Sequence, residues 1–204
     1  MNDKEISNLV AANSAAEKQS ISTATGLVAA RNIIPVADNC GAKWMLAGGI
    51  AIHLYGFLRA TADVDFIASK LLPLERQGTL SFGGESYLTE ADDRSVTVDW
   101  IVRDDEQREF YEQALADAIP TDDGLWIVSP EWLVIIKYLA SRVKDKLDLI
   151  WLLQADNLVN RELLITHLRK VLGEKASLFV IPEFQSEFNY ADLLKMRETT
   201  SKYD

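Results

Sequence analysis

The spacing of apolar residues changes period several times along the chain, and each change predicts an element. Leu27, Val28, Ile33, Ile34 and Ala37 recur at helical spacing and lead to Gly41, a residue suited to the left-handed position just past a helix end. Pro35 interrupts that pattern. "KWMLA" then reads as a buried strand, Gly48 and Gly49 as its turn, and "IAIHLY" as a short helix ended by Gly56. "ADVDFIAS" and "SVTVDWIVR" alternate with the period of two expected of strands. "TLSFGGESYLTE" between them carries the turn residues and β-formers of a hairpin or meander. Beyond these, "EQREFYEQALADA" is helical and "LWIV" a short strand. "SPEWLVIIKYLASR" opens a helix with Ser129 as N-cap and Pro130 at the first helical position. "VKDKLDLIWLLQ" and "NRELLITHLRKVL" keep the helical period, and "IPEFQSEFNYADLLKMRETT" reads as a last helix after Pro182. The pattern predicts an α/β chain: an N-terminal arm or marginal helix over 1–25, a mixed β-sheet flanked by helices over 26–128, and a helical C-terminal part over 129–204 packed on that core.

Composition narrows the class. The 204 residues suffice for a real core, and a hydrophobic fraction of 48% with 25% charged residues is ordinary globular usage. Apolar runs such as "EWLVIIKYLA" are broken by charge well short of the roughly 20 residues of a membrane span, so no membrane association is expected. "MNDKEISNLV" lacks the marks of a secretory signal and Cys40 is the single cysteine, so a reducing cytoplasm is the expected location. With 21 basic against 31 acidic residues the net charge is -10, which disfavours an extended duplex-DNA surface. "SRVKDK" and "HLRK" leave room for a local basic patch. An acidic chain can also meet nucleotides through divalent metals, whose charge adds to the protein's own.

The acids therefore become the question. Residues two apart on a strand share a face at roughly 6 to 7 Å, which makes Asp63 and Asp65 neighbours and gives Val64, Phe66 and Ala68 the opposite face. In "SVTVDWIVR" the same logic sets Val96, Val98, Trp100 and Val102 against Thr97, Asp99 and Ile101, so Asp99 is the candidate third acid. Three carboxylates brought together repel unless a cation joins them, and hard oxygen ligands suit Mg2+ or Mn2+. Two such ions about 3.5 to 4 Å apart serve in-line phosphoryl displacement. A plain alternative stands beside this one, since surface strands often carry alternating charge. Asp92 with Asp93, Asp104 with Asp105, and Asp122 with Asp123 read as solvated turns. Gly48 and Gly49 either make a tight structural turn or let a phosphate approach backbone N–H groups at a helix start.

Taken whole, "GGIAIHLYGFLRATADVD" resembles the DNA polymerase β-like nucleotidyltransferase superfamily, in which a Gly-Gly or Gly-Ser turn precedes Asp-x-Asp; thirteen residues, Ile50 to Ala62, separate the two here. The order Gly-Gly-x-Ala, Gly-x-x-Arg-x-Thr, Asp-x-Asp is similar to that of a minimal bacterial branch containing abortive-infection toxin-type and antibiotic-modifying enzymes. The resemblance implies a nucleotidyltransferase-type sheet, metal ligation by Asp63, Asp65 and Asp99, and a nucleoside triphosphate held by the Gly48 and Gly49 turn. It implies transfer of a nucleoside monophosphate to an acceptor, whether small molecule, tRNA or protein, with pyrophosphate released. A protein antitoxin is a further expected partner. A catalytically inactive nucleotide- or partner-binding protein on the same scaffold is the alternative; Tyr55, standing where many relatives carry histidine, favours it.

Arg59 fits either a carboxylate or a phosphate, and Thr61 a brace for the turn. His53, alone in an apolar short helix, reads as structural rather than catalytic. "PEWLVIIKYLASRVKDKLDLIWLL" is similar to another segment of the same branch, on which Lys137, Arg142, Lys144, Asp145 and Asp148 match in order. The likeness implies that Lys137 and Lys144 bind the triphosphate. For Lys137 the alternative is a side chain that snorkels from a buried helix, and for Lys144 with Asp148 simple i,i+4 helix support. Trp126, Trp132 and Trp151 fit core packing.

Overall fold

The computed structural model describes residues 20–200, so most of the expected N-terminal arm lies outside the described residues. The chain divides into two compact units, one running to Gln107 and resuming over Pro120–Ile127, the other comprising Arg108–Ile119 and the chain from Val128 onward.

In the first unit, helix α1 (Thr23–Cys40) is fixed at both ends by local chemistry. The Ser22 hydroxyl accepts the Thr25 N–H at 3.0 Å. At the other end Gly41 adopts φ 68°; its N–H donates to the Asp38 carbonyl and the Ala42 N–H to the Ala37 carbonyl, the paired bonds of a Schellman stop. Pro35 lies inside this helix without ending it. The buried face is Thr25, Gly26, Ala29, Ala30, Ile33 and Ala37, mostly small residues that bring the helix close to the sheet, while Val28, expected on that face, is partly exposed.

The sheet has seven strands, and the expected mixed α/β architecture is what the structure shows. Strands β1 (Trp44–Ala47), β2 (Asp63–Ala68), β3 (Gly78–Thr79), β4 (Glu85–Ala91), β5 (Arg94–Ile101), β6 (Ile119–Pro120) and β7 (Trp126–Ile127) lie in the order β3-β4-β5-β2-β1-β7-β6. Between β1 and β2 runs the short helix α2 (Gly48–Leu54). β2 is antiparallel to β1 and parallel to β5, and β3, β4 and β5 form the expected meander. One face of the central strands is core: Val64, Phe66, Val98 and Trp100 are fully buried. Phe66 sits edge-on to Trp44 at 5.8 Å and tilted against Trp100 at 5.1 Å. Both indole N–H groups are satisfied, Trp44 by the Asp38 carboxylate and Trp100 by the Lys70 carbonyl. Trp126 departs from the expected packing role and is 45% exposed, because alternation in β7 turns Ile127 inward and Trp126 outward.

The second unit is helical: α3 (Arg108–Ala116), α4 (Pro130–Ala140), α5 (Val143–Gln154) and α6 (Arg161–Thr200). Ser129 caps α4 through its hydroxyl with Pro130 in the first turn, as expected. The last helix does not begin after Pro182. The chain breaks at Gly173 (φ 69°, ψ 176°) and the helix continues through Pro182, since glycine accepts the positive φ while one proline removes a single N–H bond. Trp132 is fully buried, stacked on His167 at 4.6 Å with its indole N–H on Asp117, and Trp151 is half-buried. No helix among the described residues is long and apolar enough to cross a membrane.

A buried ion network ties α4 to α5. The Lys137 ammonium lies 2.9 Å from Asp145 and 2.7 Å from Asp148, and Arg142 reaches Asp145 at 2.6 Å. Burial alone pushes the Asp145 carboxyl up, but hydrogen bonds and charge from Arg142 and Lys137 outweigh it and hold the group below its ordinary 3.8. The stabilisation from Asp145 is therefore complete above that value and fades as pH falls beneath it. Lys137→Met removes the cation shared by Asp145 and Asp148 and leaves Asp145 with Arg142 alone, so chemical denaturation at pH 7 is predicted to show a loss of about 3 to 5 kcal/mol. Unchanged stability at pH 7 would contradict the network's role.

Candidate metal and nucleotide site

The three predicted acids meet. In the parallel pairing of β2 with β5, Asp65 lies opposite Asp99 and Asp63 opposite Thr97. One carboxylate oxygen from each of Asp63, Asp65 and Asp99 falls within 4.8 Å of the others, and all three residues are half-buried. The opposite face explains the precision of this meeting. A register slip of one residue would push acids into the core and expose Phe66 and Trp100. The neighbours on the flanking strands are small: Ala47 of β1 opposite Asp65, and Ser86 of β4 opposite Asp99. Nothing in the sequence pattern marked Ser86, whose place follows from register alone.

At an effective dielectric of about 20, two ionised carboxylates at this separation repel by roughly 3 kcal/mol. The set is all hard oxygen and partly shielded from water. Such a donor set can hold a divalent ion, which turns the repulsion into ligation.

The glycine turn is built around the same acids. Gly48 has φ 58°, and a Cβ added there would lie 1.7 Å from the Asp65 Oδ2; one added at Gly49 would lie 2.3 Å from the Thr61 Oγ1. The Gly49 N–H points to the Asp65 Oδ2 at 3.3 Å. The two glycines thus allow Asp65 and Thr61 to close on the backbone where α2 begins. Thr61 is buried, and its hydroxyl donates to the Asp63 Oδ1 at 3.1 Å, the bracing role expected for it. Arg59 is half-buried, donates to the Ala60 carbonyl at 2.9 Å, and sits beside the turn, 3.3 Å from where a Gly49 Cβ would be.

His53 is buried within α2, with Nδ1 3.0 Å from the Thr23 hydroxyl and Nε2 2.6 Å from the Arg59 carbonyl. Tyr55 caps the end of that helix and is half-buried. Lys137 and Lys144 belong to the helical unit. There Lys137 is enclosed between Asp145 and Asp148, whereas Lys144 is exposed on α5. The other acid pairs take the solvated places expected of them; Asp92 and Asp93, for example, form an exposed turn with positive φ.

No family model and no curated protein sequence matches the chain. Among solved structures it is similar to an antigenic nucleotidyltransferase-like protein from Paracoccidioides brasiliensis, with 16% identity and a TM-score of 0.43, over 82% of this chain and 93% of that one. It is also similar to the antibiotic-resistance factor ANT(2'')-Ia, with 14% identity and a TM-score of 0.35, over 83% of this chain and 95% of that one.

Gly48→Ala puts a methyl group onto the Asp65 carboxylate and asks alanine for a left-handed backbone. Calorimetric titration is expected to show Mn2+ binding lost, while far-ultraviolet circular dichroism shows the fold retained. Wild-type affinity in this variant would mean that the turn does not shape the acid cluster.

Proposed function

We propose that the chain is a divalent-metal-dependent nucleotidyltransferase that moves a nucleoside monophosphate from a nucleoside triphosphate to an acceptor. One observation carries the reading: Asp63, Asp65 and Asp99, from two parallel strands, converge within 4.8 Å beside a turn made of Gly48 and Gly49. The order of motifs in "GGIAIHLYGFLRATADVD" supports it independently of the geometry.

In this reading the three aspartates hold Mg2+ or Mn2+, and the ion when bound supplies charge stabilisation to the phosphoryl oxygens. The acceptor's hydroxyl oxygen forms a bond to the α-phosphorus, the bond from that phosphorus to the oxygen bridging to the β-phosphate breaks, and pyrophosphate leaves. Asp99 receives the acceptor's proton, directly or through water. Arg59, beside the glycine turn, offers its guanidinium to the triphosphate, and Lys144, exposed on α5, is a further candidate cation. Lys137 would take that role only by exchanging Asp145 and Asp148 for phosphate. The acceptor is a small molecule, a tRNA end or a protein side chain, and the toxin-type branch that the motif order resembles adds a neutralising partner protein to the reading.

Incubation of the purified protein with each α-labelled nucleoside triphosphate, Mg2+ and a cell extract is expected to label one acceptor class and release pyrophosphate. Asp63→Asn and Asp65→Asn reduce labelling to background with the fold intact, and chelation of the metal does the same. Labelling that survives either substitution would refute the assignment; metal and nucleotide binding without any labelled product would point to the inactive scaffold instead.

A further inference from the structure

We propose that His53 is a positioning residue for the acid cluster, fixing the Asp63 carboxylate from a distance through the chain segment between α2 and β2. The inference rests on the metal-site reading above. Residues 57–62 belong to no helix or strand, so nothing in the sheet ladder holds the approach to Asp63. Hydrogen bonds hold it instead, beginning with the Phe57 N–H on the Ile52 carbonyl at 3.2 Å. The Ile21 N–H donates to the Thr61 carbonyl at 2.8 Å, and the His53 Nε2 meets the Arg59 carbonyl at 2.6 Å. A carbonyl oxygen only accepts, so the His53 proton must be on Nε2. The Arg59 N–H also lies 3.4 Å from Nε2, but the much closer carbonyl decides the tautomer. In the neutral ring Nδ1 is then an acceptor, and the Thr23 hydroxyl, 3.0 Å away, supplies its hydrogen.

A continuous chain of contacts results. Thr23 of α1 orients the imidazole, the imidazole holds the Arg59 carbonyl, and the anchored segment presents Thr61. The Thr61 hydroxyl then holds the Asp63 Oδ1 at 3.1 Å, with its oxygen and Cβ packed against Gly49. The last link is made to a carboxylate itself, and a histidine 10 residues before Asp63 gains a reason to be buried and doubly bonded. Loss of a metal ligand's hydrogen-bonded partner, the place Thr61 holds here, typically costs about 10- to 100-fold in metal affinity.

The test compares the wild-type chain with His53→Leu, His53→Gln, Thr61→Val and Thr61→Ser. Two quantities are read: Mn2+ affinity by electron paramagnetic resonance, and hydrogen exchange of the amides between Arg59 and Asp63 in metal-free protein. His53→Leu and Thr61→Val are expected to weaken Mn2+ binding about tenfold or more. His53→Leu also speeds exchange in the segment. His53→Gln keeps a donor for the Arg59 carbonyl and Thr61→Ser keeps the hydroxyl, so both return affinity to within about threefold of wild type. The proposal is overturned if His53→Leu binds Mn2+ as the wild type does, or if His53→Gln is as weak as His53→Leu, which would make ring bulk the operative property. Should His53→Leu fail to fold, Thr23→Val, which removes only the outer hydroxyl, carries the same comparison. A wild type that binds no Mn2+ sinks the metal reading, and with it the affinity half of this one; the exchange data then decide separately whether the His53 clamp exists.

Discussion

The parallel pairing of β2 with β5 is the constraint on which the site depends. It sets Asp65 beside Asp99 and brings Asp63 into the same group. The acids could not hold that register themselves, because their mutual repulsion opposes it. It is held by the other face, where Val64, Phe66, Val98 and Trp100 are removed from water completely. Each large aromatic there is worth several kcal/mol on truncation, about 3 to 5 for Phe or Trp to Ala, enough to outweigh the repulsion across the sheet.

The surroundings of the acids follow from the same economy of space. Small residues flank them, Ala47 on one side and Ser86 on the other, and two glycines let Asp65 and Thr61 come up against the start of α2. Bonds from Ile21, just ahead of α1, and from His53 of α2 then fix the irregular segment that leads into β2. The helical unit uses charge differently. Its Lys137, Asp145, Asp148 and Arg142 cancel one another within hydrogen-bonding distance. The acid cluster on the sheet gathers like charge, a donor set suited to a divalent cation.

Period-two alternation in "ADVDFIAS" and "SVTVDWIVR" was enough to assign faces, because a strand's side chains have only two directions. The caps at Ser22, Gly41 and Ser129 differ in how visible they were: Gly41 and Ser129 follow from residue type and position, whereas Ser22 fell in a stretch of thin periodicity. Register was not legible. The pattern says which side Asp99 faces but not that it stands opposite Asp65, a fact settled by packing between residues more than thirty apart. Trp126 was misplaced because a two-residue strand has no periodicity to read, and the break at Gly173 was missed because Pro182 is the louder signal. The partners of Lys137 and His53 were hidden for another reason. A buried lysine and a buried histidine announce only that something must satisfy them, and that something lies 8 and 11 residues away for Lys137 and 30 residues away for the Thr23 bond of His53.

The claim that most needs testing is that the acid cluster is built for a cation. Thermal denaturation of the wild type and Asp99→Asn, each with a chelator and with Mn2+, measures it directly, since a ligand that binds the folded state raises its melting temperature. Asp99→Asn is expected to melt higher than the wild type without metal, through relief of repulsion, and Mn2+ to raise the wild type far more than the variant. A variant that melts lower in chelator, together with no effect of Mn2+ on the wild type, would contradict it.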